Sequence, residues 1–222
     1  MAIKTVGCWL LLCVSATAFA QHESLSQCPG AQHWLHSRQQ AVALEADVPG
    51  QPHKREQLLA MADQDQAIRA QLNAAGVKPD VALLERLRQL DGQHAAQLAQ
   101  WMAAGNLPTA AQVGSDGMQA LWLLVQHADA YPALQEQLLA HYSVLPDWGG
   151  MGGGRGAMLV DRVLRAQNQP QRFGTQFGRD PASGTLTMDP VEDATVLDAV
   201  RAAAGLMPMA DYMCVLRAAH GG

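Results

Sequence analysis

The sequence predicts a mainly α-helical protein, a single domain of about seven helices with one small β-hairpin near residues 173–188. Apolar residues recur along most of the chain at the three- and four-residue spacing of amphipathic helices. Only one segment, residues 173–188, carries the pattern of two short strands separated by a turn. Strands and helices do not alternate and there are no internal repeats, which argues against an α/β fold.

The first two predicted helices are amphipathic and bounded by cap residues. Gly76 ends the first helix, and Asp80 is the expected N-cap of the second, which is interrupted at Asp91-Gly92 and ends at Gly105. The first helix covers residues 54–75, and its apolar stripe consists of Leu58, Met61, Ala62, Ile68 and Leu72.

A third helix is expected to form the centre of the fold. Asp116 and Gln119 have the spacing of a capping box, which would open this helix. Residues 120–125 are apolar on every side of a helix, and such a helix is buried all round. A fourth helix starts near Pro132, in its first turn.

The glycine-rich stretch of residues 147–156 is expected to be a loop, because glycine at this density makes ordering costly. It lacks the preceding strand and the G-K-[ST] ending of a phosphate-binding loop. A short helix is predicted over residues 158–166, and the two strands of the hairpin over 173–177 and 185–188.

The last third of the chain carries a second capping pattern. Asp189, Pro190 and Glu192 are predicted to open a helix that stops at Gly205, with Asp189 as the N-cap and Glu192 as the acceptor that reaches back to it. A final helix follows Pro208.

The N-terminus has the order of features of a cleavable secretory signal. Lys4 is its only charge, residues 6–14 are apolar, and small residues end at Ala18-Phe19-Ala20. We therefore expect residues 1–20 to be a signal peptide, 21–53 a polar lead-in and 54–222 the helical domain. The mature protein would be exported, periplasmic or secreted, without stable membrane insertion after signal cleavage.

The cysteines make the export prediction testable. Cys8 and Cys13 would leave with the signal, so that the mature chain keeps only Cys28 and Cys214. An oxidising compartment favours a disulfide between them, and closing so long a loop contributes roughly 3–5 kcal/mol in the chain-entropy model. Two separate buried thiols are the alternative.

Charge and motifs limit the classes of partner. The formal net charge is −5 and no cluster of lysine and arginine stands out, so nucleic acid is not an expected partner. No nucleophile elbow, Walker loop, C-x-x-C or H-E-x-x-H pattern occurs. We expect no cofactor and no metal site, and an unidentified small molecule or envelope protein as the partner.

Two charged residues fall on the apolar stripe of the first helix. Asp65 and Arg69 lie in its middle, four residues apart in the order that favours an intrahelical ion pair. They predict either a structural salt bridge or the floor of a polar cleft. His94 lies on the apolar face of the second helix if that helix continues through Gly92, and it is interpreted as a core histidine.

The most suggestive position is the end of the buried third helix, which presents Gln126, His127 and Asp129. The negative end of the helix dipole is expected to raise the pKa of His127 and suit it to proton transfer. The alternative is capping, with His127 on the last carbonyls and Asp129 on the next helix. Asp161 and Arg162 are adjacent on a helix, so each must have its own partner.

Several of these elements together resemble a bacterial family of uncharacterised, often exported proteins, the domain of unknown function 6624. The resemblance covers residues 58–213 and rests on Asp65-Gln66 with Arg69, Val113-Gly114, residues 120–129, Asp161-Arg-Val163, Gln171 with Phe173-Gly-Thr-Gln176, Pro190-Val-Glu-Asp193, and Arg201 with Gly205-Leu206. The chain departs from the family pattern at Asp91-Gly-Gln-His94-Ala95 and at Val200-Arg201.

The resemblance implies no activity, but it implies that one constellation contains Asp65, Arg69, Gln126, His127, Asp129, Asp161, Arg162 and Gln176. The favoured hypothesis is a non-enzymatic module that binds a small ligand, a peptide or an envelope partner, because no established catalytic motif is present. In it the ligand-binding residues are Asp65, Arg69, Gln126, Arg162 and Gln176.

The alternative hypothesis is a hydrolase-like enzyme. In it His127 is the general base, Asp129 or Asp161 orients it, and Arg69 or Arg162 neutralises an anionic substrate. This hypothesis requires His127 to lie within about 3 Å of a carboxylate and to be open to a cleft.

Overall fold

The computed structural model of the chain describes residues 27–39, 50–75, 80–180 and 185–220. These residues form a single mainly α-helical domain with one two-stranded antiparallel sheet, as predicted. The elements in these ranges are α1 Pro29–Gln39, α2 Pro52–Ala75, α3 Val81–Ala103, α4 Ala110–Gln126, α5 Pro132–Ser143, α6 Asp147–Gly150, α7 Gly153–Ala166, β1 Phe177–Arg179, β2 Leu186–Met188, α8 Leu197–Ala203 and α9 Met209–His220.

Helix α4 lies at the centre of the core, as its composition predicts. It packs along α2 and also contacts α3, α5 and α7. Leu121, Leu124 and Val125 are buried, while Trp122 is half-buried, so one side of the helix is less enclosed than predicted. The surrounding helices contribute Leu58, Leu98, Trp101, Leu138, Leu159 and Val163 to the same core.

The start of α4 differs from the prediction. The helix begins at Ala110, and Gln112 Oε1 accepts a hydrogen bond from the backbone N–H of Thr109 at 3.0 Å. Gly114, with a φ of 75°, interrupts the helical geometry four residues later. Asp116 is not the N-cap, because its carboxylate pairs with Arg55 of α2.

Helix α3 runs without interruption through Asp91-Gly92, which were predicted to break it. Asp80 caps it as predicted, accepting from the N–H of Ala82 at 3.2 Å. The absence of a side chain at Gly92 is used for close packing, since a Cβ there would lie 2.9 Å from Tyr131 Oη. The end of the helix near Gly105 is confirmed, whereas Gly76 lies outside the described residues.

The glycine-rich stretch is more ordered than predicted. Residues 147–150 form the short turn α6, and α7 starts at Gly153, five residues before the predicted start. The helix therefore includes half of the glycines that were assigned to a loop.

The hairpin is shorter than predicted, and the capping pattern at residues 189–192 is not used. The first strand begins at Phe177, and residues 173–176 form a loop instead. The predicted helix from Asp189 begins only at Leu197. Asp189 pairs with Arg165 and Glu192 with Arg172, so tertiary ion pairs replace the expected cap.

Cys28 and Cys214 form a disulfide, with their Cα atoms 5.9 Å apart. The bond joins the residue just before α1, a helix inside the segment predicted as a polar lead-in, to α9. The proposed signal, with Cys8 and Cys13, lies outside the described residues. Among the described helices none is both long and apolar enough to cross a membrane.

Candidate functional site

The centre of the candidate site is a hydrogen bond between Asp65 and His127. Asp65 is fully buried on the inner face of α2, and His127 follows directly after α4, which packs along α2. His127 Nδ1 lies 2.7 Å from Asp65 Oδ2. An ionised carboxylate only accepts hydrogen bonds, so the proton is on Nδ1 and Nε2 is the unprotonated nitrogen.

Arg69 connects Asp65 to helix α3. Its Nε donates to Asp65 Oδ1 and its Nη2 donates to Asp91 Oδ1, each at 2.9 Å. Gln66 Nε2 also donates to Asp65 Oδ2, at 2.8 Å. The intrahelical pair of Asp65 and Arg69, predicted from the apolar stripe, is confirmed, and Arg69 extends it to a second carboxylate.

Arg162 on α7 makes a second bridge of the same form. Its Nε donates to Gln126 Oε1 at 2.8 Å and its Nη1 donates to Asp129 Oδ1 at 2.5 Å. In both bridges the guanidinium joins a buried group to a carboxylate nearer the solvent. The side chains of Asp91 and Asp129 are 17% and 39% exposed.

Burial sets the protonation state of His127. It lowers the pKa of the imidazole below its usual value and outweighs the hydrogen bond and charge of Asp65, which raise it. The prediction that the end of α4 would raise this pKa is therefore wrong, because desolvation dominates. Burial raises the pKa of Asp65, but the hydrogen bonds and charges of His127 and Arg69 prevail and hold it below its usual value.

The pKa of Asp91 is shifted in the opposite direction from that of Asp65. Burial raises the pKa of Asp91 to about 6, the charges of Asp65 and Asp129 add to the increase, and Arg69 opposes it. The charges of Asp65 and Asp129 therefore both act on Asp91, but burial is the largest cause of its raised pKa.

His94 belongs to the same group. It lies one turn after Asp91 on α3, it is 5% exposed, and the charges of Asp65, Arg69 and His127 act on its pKa, which burial lowers. We define the polar cluster as the following set: Asp65, Arg69, Asp91, His94, Gln126, His127, Asp129 and Arg162.

Two buried polar atoms of the polar cluster have no hydrogen-bond partner among the described residues. They are His94 Nε2 and Gln126 Nε2. The assignment at Gln126 is fixed, because Arg162 can only donate and so requires the oxygen of the amide. The unpartnered atom is therefore an NH₂ group, and leaving such a group unpaired in the interior costs about 1–3 kcal/mol.

A second buried carboxylate, Asp161, has all its oxygens engaged. It accepts from the backbone N–H groups of Arg172, Phe173 and Thr175 at 2.7, 2.9 and 2.9 Å, and from Thr175 Oγ1 at 2.8 Å. We call Asp161 with these residues the Asp161 anchor. It holds the loop before β1 against α7.

Further buried polar residues reinforce the same region. The side chain of Gln171 donates to the backbone oxygens of Gln176 and Asp189 and accepts from the N–H of Gln176. Fully buried Arg201 donates to the backbone oxygens of Met207 and Phe173. Gln176 and Asp161, which the family resemblance assigns to the common constellation, make these structural contacts.

His127 Nδ1 donates its hydrogen bond to Asp65, whereas sequence reasoning named Asp129 or Asp161 as the orienting acid. Asp129 bonds to Arg162 and Gln135, and does not cap α5. Asp91 was missed altogether. The available signal was its helical spacing with Leu87, His94, Leu98 and Trp101, which places it on the inner face once α3 continues through Gly92.

The candidate site offers no group of metal ligands. Among the residues that the structure describes, no three side chains of His, Cys, Asp or Glu are grouped so as to hold a metal ion. The carboxylates of the polar cluster instead accept hydrogen bonds from guanidinium, amide and imidazole groups. The arrangement can hold a hydrogen-bonding molecule or orient the imidazole for proton transfer.

Fold and site together define a mainly α-helical protein with a buried polar cluster between α2, α3, α4 and α7. Its sequence matches the model of one protein family, described as a family of unknown function (DUF6624), over residues 52–222, and the chain belongs to that family. Helix α1 and Cys28 lie before the matched region. Comparison with curated proteins and with solved structures gave no match.

Proposed function

We propose that this protein is a non-enzymatic module that binds a small polar ligand in the polar cluster. The observation that carries the proposal is the pair of buried atoms without a partner among the described residues, His94 Nε2 and Gln126 Nε2. Buried polar groups are almost always hydrogen-bonded, and the exceptions require an explanation. A ligand that supplies the missing partners would recover the free energy that these atoms cost.

The burial of the two atoms favours a small molecule over a protein partner. His94 is 5% and Gln126 is 2% exposed, so the flat surface of another protein would not reach them. A small ligand is of the size that protein interiors hold, in sites that combine apolar walls with a few polar groups.

The charges of the polar cluster argue against an anionic ligand. The guanidinium of Arg69 is already paired with Asp65 and Asp91, and that of Arg162 with Asp129. Each guanidinium group is therefore already paired with at least one carboxylate, and an anionic ligand bound beside it would be repelled by that carboxylate. The role of neutralising an anion, suggested by the sequence for these arginines, therefore has no geometric support.

We further propose that binding takes place outside the cytoplasm. The Cys28–Cys214 disulfide supports this, since such bonds persist in oxidising compartments and are rare in the cytosol. The order of charged, apolar and small residues in 1–20 supports export independently. Intact mass of the protein purified from its native envelope, with and without reductant, tests this, and two free thiols in the oxidised sample would contradict it.

A thermal-shift screen tests the binding proposal. Polar small molecules are compared on the wild-type protein and on a His94→Leu, Gln126→Met variant. Exposed residues of the same types supply a control variant, His53→Leu with Gln93→Met. A ligand at about 100 times its Kd stabilises a folded protein by about 2.7 kcal/mol. We expect hits that stabilise the wild type and the control but not the double variant, and hits that stabilise all three equally would overturn the proposal.

A second candidate function is supported by the bond between His127 and Asp65. Asp65 fixes the tautomer that leaves Nε2 unprotonated, and burial keeps His127 neutral, which is the form a general base requires. The distance criterion for a hydrolase-like enzyme is thus met through Asp65. The cleft criterion is not, because His127 is only 3% exposed.

A turnover measurement distinguishes the two candidate functions, a binding module and a hydrolase. For a hydrolase, a ligand found in the screen is converted by the wild type, and Asp65→Asn abolishes conversion while binding persists, since Nε2 then carries the proton. For a binding module, the same ligand is recovered unchanged after prolonged incubation with the wild type.

A further inference from the structure

We infer that the ligand carries a positively charged amine, which lies between the carboxylates of Asp91 and Asp129 at the outer edge of the polar cluster. This inference rests on the proposed binding function and adds the chemical class of the ligand. It follows from the hydrogen bonds of the two carboxylates, from their position and from the balance of charges.

Each of the two carboxylates has one oxygen engaged and one left over. Oδ1 of Asp91 accepts from Arg69, and Oδ1 of Asp129 accepts from Arg162 and, at 3.5 Å, from Gln135. No described residue donates to either Oδ2. Both side chains are partly exposed, so a ligand can approach these oxygens from solvent.

The two carboxylates lie on segments that meet. Asp91 precedes Gly92, and a Cβ on Gly92 would lie only 2.9 Å from Tyr131 Oη, two residues after Asp129. The side chain of Tyr131, from the turn that carries Asp129, therefore lies against α3 next to Asp91. Their proximity is also expressed in the electrostatic effect of Asp129 on Asp91.

The charges of the polar cluster do not balance. It contains three carboxylates and two guanidinium groups, while both imidazoles are held neutral because burial lowers their pKa values. One negative charge remains at the edge where Asp91 and Asp129 meet. A cation would offset it, whereas an anion would add to the repulsion.

An independent observation places a hydrogen-bonding group next to this edge. Arg162 donates to Gln126 Oε1 from Nε and to Asp129 Oδ1 from Nη1, so the buried amide of Gln126 and the carboxylate of Asp129 contact the same guanidinium group. Its unpartnered NH₂ requires an acceptor. The ligand therefore combines an ammonium group with an oxygen acceptor a few bonds away, as in amino amides, amino alcohols and amino sugars.

Three probes that share one skeleton and carry a positive, a neutral or a negative group test this inference. Glycinamide carries an ammonium group, glycolamide a hydroxyl and malonamate a carboxylate on the same CH₂-amide skeleton. Their affinities for the full exported chain are measured by NMR titration. We expect glycinamide to bind about five- to tenfold more tightly than the other two, the size of one partly screened ion pair.

Substitutions at the two carboxylates test whether the ammonium group binds between them. Asp91→Asn and Asp129→Asn are each expected to reduce the affinity for glycinamide about fivefold or more and to leave that for glycolamide unchanged. Glu85→Gln, which removes an exposed charge from the same helix α3, is the matched control and should change neither. Thermal unfolding of each variant confirms that it is folded.

The pH dependence of the affinity for glycinamide is a second test of this inference. A cation binds best to ionised Asp91, which faces Arg69 and Asp65 of α2 and Asp129 of the following turn, and whose pKa is raised to about 6. The affinity for glycinamide should therefore rise as the pH increases through 6 and fall again when the ammonium group of glycinamide loses its proton at about pH 8, whereas that for glycolamide should show neither change.

The outcomes separate this inference from the binding proposal. If the three probes bind with equal affinity and Gln126→Met abolishes all of them, the preference for a cation is wrong and the binding site stands. If malonamate binds most tightly, the charge argument is overturned. If no probe shifts any resonance of α3 or α4, the inference is wrong, and the screen of His94→Leu, Gln126→Met decides separately on the site.

Discussion

Asp161 and Asp65 are both fully buried carboxylates, but they are bonded by different kinds of donor. Asp161 accepts from three backbone N–H groups and one hydroxyl of the loop before β1. Within the described ranges, Asp65 accepts only from side chains, those of Arg69, Gln66 and His127. Backbone donors are fixed by the fold, whereas side chains can rotate, and an imidazole can move its proton to the other nitrogen.

The surroundings of Asp161 and of Asp65 also differ in whether every buried polar atom has a hydrogen-bond partner. Around Asp161 the loop is held by bonds that satisfy both carboxylate oxygens, and Gln171 and Arg201 are likewise engaged with backbone oxygens. Around Asp65 the polar cluster retains two buried atoms without a partner in the described part of the chain. We interpret the first region as structural, and the second is the site that we propose for ligand binding.

The largest expected effect is that of Asp161→Asn. The new NH₂ group would face backbone N–H donors that cannot turn away, so we expect the free energy of unfolding to fall by about 4–5 kcal/mol. Urea unfolding followed by circular dichroism measures it. Asp63→Asn, an exposed acid on α2, is the control and should change stability by less than about 0.5 kcal/mol.

Asp65→Asn is expected to cost less, about 2–3 kcal/mol, although Asp65 is equally buried. The imidazole of His127 can switch tautomer and accept from the new NH₂ group, which relieves part of the conflict. The same urea experiment compares the two variants. A loss at Asp65 that equals or exceeds the loss at Asp161 would contradict the distinction between fixed and adaptable donors.

The raised pKa of Asp91 predicts a pH-dependent effect of Asp91→Asn. A folded-state pKa of about 6, above the ordinary value of 3.8, means that the stability contribution of protonated Asp91 is lost as the pH rises from 4 to 6. At about 1.4 kcal/mol per pKa unit, the variant should gain about 2–3 kcal/mol relative to wild type between pH 4 and pH 7. Unfolding curves at both pH values measure this, and a constant difference would refute it.

The smallest effect on stability is expected for His94→Leu. The substitution removes an imidazole whose Nε2 has no partner in the described chain and replaces it with an apolar side chain in a buried position. Stability should change by less than about 1 kcal/mol or increase. Loss of more than 2 kcal/mol would show that His94 is a structural residue and would remove it from the proposed site.

Part of the fold and site could be predicted because the signals are local. Helical periodicity gave the mainly α-helical class and placed Asp65 and Arg69 on the inner face of α2. The capping pattern at Asp189 and Glu192 failed because Arg165 and Arg172, distant in sequence, pair with these acids instead. A local pattern cannot reveal such competition.

Only part of the polar cluster could be predicted from the sequence. His127 was singled out, but its partner Asp65 is 62 residues away, and nothing in the sequence joins them. Asp91 was overlooked because Gly92 was interpreted as a helix break, whereas the glycine accommodates Tyr131 from a separate turn. Which buried atoms lack a partner depends on all the packed neighbours at once and needs the three-dimensional structure.

The side-chain amide of Gln126 provides the most direct test of the central claim. Its NH₂ resonances, assigned by comparison with Gln126→Met, are followed in ¹H–¹⁵N NMR spectra while a ligand from the thermal-shift screen is added. We predict that both protons shift downfield and become protected from exchange as the ligand saturates, because the amide then donates to it. Unchanged Gln126 amide resonances, with the ligand bound elsewhere, would contradict the assignment of the polar cluster as the binding site.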